Sequence, residues 1–225
     1  MQTDEKRLTE SQKDWLPKTL FAVGLLIYLL TRLIKLPDFP IFFFTDEAIQ
    51  TQHAVDLIAN GFRGSDGTLL PTYFKNGGQY NLSLSVYLQV LPTLLFGKSI
   101  WVTRGVSALV SLLVPFFTGL ILKDSCKIKT WWLAPLLTAL IPAWFLHSRT
   151  AFETVLMTSF YAGFLYFYLR YQQDHPKALY IALVFGALAF YAYSPGKVIM
   201  VVTGLMFLIA DGRYHWRHRR TALFA

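Results

Sequence analysis

Long apolar runs separated by short polar junctions limit what this chain can fold into more than any other feature. The runs cover residues 20–36, 82–96, 100–122, 131–146, 155–169, 178–193 and 198–210. Hydrophobic residues make up 54% of the 225, and Asp, Glu, Lys and Arg only 15%, against about 25% in an ordinary soluble domain. A water-soluble body of this size has too little interior to hide so much apolar surface. The same composition excludes a disordered chain, and the single Cys126 excludes a disulfide scaffold. A formal net charge of +8 would suggest nucleic acid in a soluble protein. Here it fits Lys and Arg held at the membrane–cytoplasm border, and no nucleic-acid partner is expected. The sequence predicts an all-α integral membrane protein.

A helix needs about 20 residues to cross roughly 30 Å of hydrocarbon. Run 100–122 does so alone, whereas run 82–96 is short and contains Pro92. If 82–96 stays at the surface, the chain crosses six times from an inner N-terminus, with thirteen of the 21 Lys and Arg inside. A seven-span arrangement with an outer N-terminus divides them equally well, so counting leaves both open. The six-span reading predicts a cytoplasmic tail at 1–18 and a first transmembrane helix at 19–36. An extracytoplasmic loop with juxtamembrane helices follows at 37–97, then five more transmembrane helices at 98–211 and a basic cytoplasmic segment at 212–225. Run 20–36 is too long for a signal-peptide core and lacks a small-residue cleavage pattern. Arg32 and Lys35 near its end are expected to snorkel, and Pro37 and Pro40 stop the helix.

One short helix is well signalled in the outer loop. Thr45 is its expected N-cap, with Asp46 and Glu47 in the first turn, where carboxylates suit the helix dipole. Ala48, Val55, Ile58 and Ala59 form the expected apolar stripe, and Asn60-Gly61 ends the helix. It reads as an amphipathic surface helix anchored by Phe42, Phe43 and Phe44. Residues 61–80, rich in Gly and with Pro71, read as loop.

Three groups of residues carry possible chemistry. Asp46 and Glu47 have two readings, first-turn charges that stabilise a helix or a general base toward an acceptor hydroxyl or amine. His53 lies seven residues after Asp46, near the same helix face. The second group is His147-Ser148-Arg149 with Glu153. Arg149 and Glu153 have the spacing to pair along a helix, or Arg149 can meet a phosphate with its fork. The third is the junction 191–197, ending in Lys197. Lys197, and Lys75 in the outer loop, either neutralise a lipid phosphate or snorkel; Lys98 and Arg104 weigh toward simple anchoring. The sequence has no HExxH, clustered His/Cys set, DxD, GxGxxG or Walker A run, so no cofactor is expected and a divalent metal is not indicated.

These motifs together resemble a known family. Phe43-Phe44-Thr45-Asp46-Glu47-Ala48 follows a first span, and Leu70-Pro71-Thr72-Tyr73 follows in a Gly-rich loop. Later come Phe96-Gly97-Lys98-Ser99, then Arg104-Gly105, then His147-Ser148-Arg149 and Glu153. The pattern resembles the lipid-linked-sugar-dependent glycosyltransferases of the GT-C class. Within that class it is most similar to the dolichyl-phosphate-mannose-protein mannosyltransferase-like family, which includes the aminoarabinose transferases of lipid A. The resemblance implies a GT-C-like multi-span bundle with 82–96 juxtamembrane, and so selects six spans. It implies an inverting transfer from a polyprenyl-phosphate-linked sugar to a lipid, protein or glycan acceptor, on the extracytoplasmic face of a plasma or inner membrane. Protein glycosylation, lipid A modification and other cell-envelope transfers all stay open. By the same resemblance Asp46 activates the acceptor, Glu47 and Glu153 are catalytic or orient it, and Arg149, Lys75 and Lys197 bind the donor phosphate. Members of the family are much longer, which implies that this chain is the N-terminal part of one. Two rivals remain. One is a multi-span transporter, disfavoured because the charges sit at the ends of the apolar runs. The other is a non-catalytic scaffold derived from such a transferase.

Overall fold

The computed structural model describes residues 2–218, with side chains from Trp15 onward. The chain opens with α1 (Gln2–Leu33), then α2 (Thr45–Ala59), a hairpin of β1 (Tyr73–Asn76) and β2 (Gln79–Leu82), and α3 (Ser83–Phe96). Next come α4 (Ile100–Ser111) and α5 (Leu113–Asp124), a 3-10 turn at Trp131–Leu133, α6 (Ala134–Ala139) and α7 (Pro142–His147). The helices α8 (Glu153–Gln172), α9 (Ala178–Ala192), α10 (Ser194–Ala210) and α11 (Gly212–Arg217) complete it. The basic residues Arg219 and Arg220 lie outside the described residues.

Among the described residues, two helical stretches are long and apolar enough to cross a membrane, Trp15–Leu33 and Ile100–Asp124. The second is α4 and α5 nearly in line, joined at Leu112, whose backbone stays helical. The outward faces of several helices carry large apolar side chains. Leu26 and Leu30 on α1, Leu94 and Leu95 on α3, and Val198, Leu205 and Ile209 on α10 are all exposed. In water such continuous patches are ruinous; in hydrocarbon they are the expected surface.

The polar junctions gather at two ends. At one end the α2 region, the hairpin, the α7–α8 junction and the α9–α10 corner meet around a common cavity. At the other, Tyr166 donates to Asp124, Tyr168 donates to Asp211, and Gln173 donates to Ser125. Between them the helices pack closely on small residues. A Cβ on Gly163 of α8 would stand 2.4 Å from Cδ1 of Phe185 on α9, so only glycine admits that ring.

Several sequence readings change. Run 131–146 is not one helix. Pro142 holds Ile141 extended, and the run breaks there into α6 and α7. The stretch 61–80 is not all loop, and the fold is not purely α. Residues 73–76 pair antiparallel with 79–82 around Asn76-Gly77-Gly78-Gln79, with Gly77 at φ 57°. A turn of this kind needs positive φ, which glycine adopts freely. The junction at 191–197 is almost wholly helical. Tyr193 alone is extended (φ −149°, ψ 134°), and Ser194 already begins α10 with Pro195 in its first turn. The N-cap of α2 is Phe44 rather than Thr45, and its backbone N–H donates to the Oε1 of Glu47 at 3.2 Å.

The face of α2 differs as well. The buried stripe is Glu47, Gln50, Thr51, Ala54 and Leu57; of the expected Ala48, Val55, Ile58 and Ala59, Ile58 packs at its edge, half-buried. It packs on α3 through Ala54, Leu57, Val86 and Val90. Polar bonds knit the same layer. Thr51 and Thr103 share a hydrogen bond of 2.6 Å between their hydroxyls, and Gln89 donates to the Thr103 carbonyl at 2.9 Å. Polar side chains buried between helices are strong orienting contacts in lipid. The 14 residues of α3 rise about 21 Å at 1.5 Å each, short of a hydrocarbon core.

Candidate active site

The site begins with two adjacent carboxylates that the helix sends in different directions. Successive residues on an α-helix lie about 100° apart. Glu47 therefore turns into the protein and is fully buried, while Asp46 remains exposed in a cavity. Glu47 is held by four donors. Arg104 gives Nε to Oε2 at 2.9 Å and Nη2 to Oε1 at 3.1 Å, a forked pair with neither side chain exposed. The backbone N–H groups of Ala151 and Phe44 supply the other two, at 2.9 and 3.2 Å. This single carboxylate thus ties the start of α2 to α4 and to the segment leading into α8.

Arg104 also grips the turn after α1. Its Nη1 donates to the carbonyls of Leu36 and Pro40, and its Nη2 to that of Phe42. Arg149 grips the same turn from the other side. Its Nε and Nη2 reach the Phe39 carbonyl, Nη1 reaches those of Thr31 and Arg32, and Nη2 also reaches those of Ile34 and Lys35. The last carbonyls of a helix lack partners within it and form the negative end of its dipole. Arg149 satisfies them at the end of α1. Arg32 is fully buried beside them, donating to Ser148 Oγ at 2.9 Å and stacked 4.1 Å over the ring of Tyr28. It does not snorkel, and the charges of this chain are not confined to the ends of its apolar runs.

Asp46 and Glu153 share a cavity of about 430 Å³, with amide side chains of Gln50, Asn76 and Asn81 in its wall. Phe44 and Phe152 pack at 5.3 Å beside it. Glu153 opens α8 ahead of the apolar run 155–169 and accepts a hydrogen bond from Ser85 Oγ at 3.3 Å. Burial, together with the charge of Asp46, pushes its carboxyl up to about 7, against the weaker pull of Ser85. The pairing of Arg149 with Glu153 does not form, because Arg149 precedes the helix and spends all its N–H groups on backbone carbonyls. Asp46, Glu153 and the oxygens of Gln50, Asn76 and Asn81 are the groups with which a cation could be held; among the described residues no three or more His, Cys, Asp or Glu assemble.

The remaining candidates lie nearby but apart. Lys75 on β1 lines a different cavity, beyond the hairpin. Lys197, in the first turn of α10, donates to Tyr73 Oη at 3.4 Å and stands 4.9 Å over the same ring.

The sequence model of the dolichyl-phosphate-mannose-protein mannosyltransferase family matches residues 84–225. The chain belongs to this family. It is a glycosyltransferase family of the GT-C class, membrane-embedded, with polyprenyl-phosphate-linked sugars as donors in general. The match contains Arg104, Arg149, Glu153 and Lys197, whereas Asp46, Glu47 and Lys75 precede it. No curated protein and no solved structure matches the chain.

Arg104 is the residue that sequence reasoning missed. Its signal was present, since a cation five residues into an apolar run is a functional hypothesis by default. Gln50, Asn76 and Asn81 carried no such signal, being common polar residues in a loop.

Proposed function

We propose that the chain transfers a sugar from a polyprenyl-phosphate donor to a hydroxyl or amine of a lipid, protein or glycan acceptor, at the outer face of the membrane and with inversion. The reading rests on one observation: Asp46 and Glu153 line the same cavity, where burial raises the carboxyl of Glu153 to about 7. Two neighbouring carboxyls, one exposed and one buried, suit a division of labour. Asp46, exposed at the N-terminus of α2, takes the acceptor proton. The acceptor oxygen or nitrogen bonds to the anomeric carbon as the bond from that carbon to the phosphate oxygen breaks, and polyprenyl phosphate leaves with the electron pair. Protonated Glu153 donates a hydrogen bond that orients a sugar or acceptor oxygen.

The cations divide differently from the sequence expectation. Arg149 holds the turn after α1, and through it the entry to α2. Lys197, at the corner next to Tyr193 and Ser194 in the cavity wall, is the better phosphate partner as a point charge. The six-span arrangement is supported by the meeting of the 37–82 segment, the α7–α8 junction and the α9–α10 corner at one end, and the outer face by the excess of Lys and Arg at the other.

The test is transfer from radiolabelled polyprenyl-phosphate sugars in membranes containing the protein, with Asp46→Asn beside it. A fall of about a hundredfold or more is expected on losing a general base. Equal transfer by both proteins removes Asp46 from that role.

A further inference from the structure

A second cavity, of about 510 Å³, lies on the far side of the hairpin from the carboxylate pair. Its volume falls in the roughly 300–1,000 Å³ range of small-molecule sites. Its relation to the first is set by one helix face. Asp46 and Gln50 line the first cavity, and His53, Leu57 and Asn60 line the second. Those five positions recur at intervals of three and four, so they form a single stripe along α2. His53 stands about 10 Å along the axis from Asp46. Tyr80 of β2 lines both cavities and is 64% exposed, so the hairpin is a low divider between them.

The lining states what the second cavity can hold. Asp56 and Asp66 face Arg63 and Lys75, so the formal charges cancel. Burial lowers the affinity of His53 for a proton, with Asp56 opposing, and its ring is therefore the neutral imidazole at pH 7. A balanced wall of this kind gives no preference for an anion or a cation. It offers donors and acceptors side by side, the pattern that a polyhydroxylated ring satisfies. Tyr73 and Tyr80 add exposed aromatic rings for the apolar face of a sugar. The Nε2 of His53 is buried and has no hydrogen-bond partner among the described residues. An unsatisfied buried polar atom is costly, and His53 is the wall residue that carries one.

We propose that this second cavity binds the saccharide portion of the acceptor and delivers its reacting hydroxyl along the α2 stripe to Asp46. The proposal rests on the transferase reading above and narrows its acceptor to one that carries sugar next to the reacting group.

The experiment is saturation-transfer NMR on the protein in lipid nanodiscs, with mannotriose, maltotriose and chitotriose as probes, and a serine-containing hexapeptide and inorganic phosphate beside them. His53→Phe keeps a ring against Phe74, which lies 5.3 Å away, and removes only the polar nitrogens, so its thermal midpoint should match or exceed the parent. Tyr80→Ala alters an exposed side chain and serves if His53→Phe fails to fold. At least one trisaccharide should bind, with affinity about tenfold weaker in each variant and unchanged in Asp46→Asn. No trisaccharide signal, or one indifferent to both variants, overturns the proposal. So does binding of the peptide or of phosphate alone that depends on His53. Loss of transfer in Asp46→Asn without any His53-dependent saccharide binding would sink this inference and leave the transferase reading standing. Saccharide binding with no transfer from any donor would leave the second cavity a saccharide site and overturn its acceptor role together with the transferase reading.

Discussion

Arg104 and Glu47, 57 positions apart in sequence, meet in a forked ion pair with contacts of 2.9 and 3.1 Å and no exposed side-chain surface. The pair sets where Asp46 stands, because Asp46 and Glu47 share a peptide bond at the rigid start of α2. It also fixes Ala151, two residues before Glu153, through the Ala151 N–H. One buried carboxylate thus positions both members of the pair in the cavity.

Removing one partner of such a pair leaves the other charge buried and unpaired, at a cost of about 3–5 kcal/mol. Arg104→Met and Glu47→Gln should each lower the thermal midpoint of the detergent-solubilised protein sharply. The double variant should recover part of the loss, since no lone charge remains. A double variant no better than the worse single one would mean that the grip of Arg104 on the Leu36, Pro40 and Phe42 carbonyls outweighs the pair.

Glu153 predicts a pH dependence with a definite sign. Its carboxyl is raised from 4.5 to about 7 in the folded state. Below about pH 4.5 it is neutral in both folded and unfolded chains and costs nothing. The folded state then loses stability as pH rises from 4.5 to 7, and the loss is constant above 7, a few kcal/mol at most. Glu153→Gln should remove this slope, so its midpoint should gain on the parent across that window. Asp46→Asn should move the Glu153 carboxyl titration, followed by carbon NMR, toward lower pH, because one of the causes of the rise is gone. An unchanged titration in Asp46→Asn would separate the two carboxylates.

Arg149 is expected to behave as a structural cation. Arg149→Lys keeps the charge but cannot span the carbonyls of Thr31, Ile34 and Phe39 with one planar fork. It should destabilise the protein by about 2–4 kcal/mol, each orphaned carbonyl contributing about 1 kcal/mol or more. The KM for the polyprenyl-phosphate donor should stay level in the folded fraction. A normal midpoint with a raised donor KM would return Arg149 to the phosphate.

The membrane character of the chain was legible from its apolar runs alone, because burial in lipid depends on composition over about 20 residues and not on packing. The α2 helix was legible too, down to its end at Asn60. Its facing was not. The apolar pattern points to Ala48, Val55, Ile58 and Ala59, whereas the buried stripe of α2 mixes apolar Ala54 and Leu57 with polar residues. Thr51 meets Thr103, and Glu47 meets Arg104. The hairpin had a local signal in Asn76-Gly77-Gly78, obscured by the glycines and Pro71 around it.

Sequence by itself determined that the chain is a helical membrane protein with Asp46 at the start of a helix in the polar segment after its first apolar run, since both follow from residue types at short range. Tertiary structure decided which charges stay exposed in the cavity and which are buried as braces. The exposed Asp46 and the buried Glu47 are neighbours with the same chemistry. Arg104 and Arg149 read as an anchor and a phosphate partner, yet Arg149 closes on carbonyls at the end of α1 and in the turn after it, and Arg104 on that same turn. The difference is made by partners 57 to 118 positions away, and contacts at that range leave no local pattern for a periodicity or a motif to register.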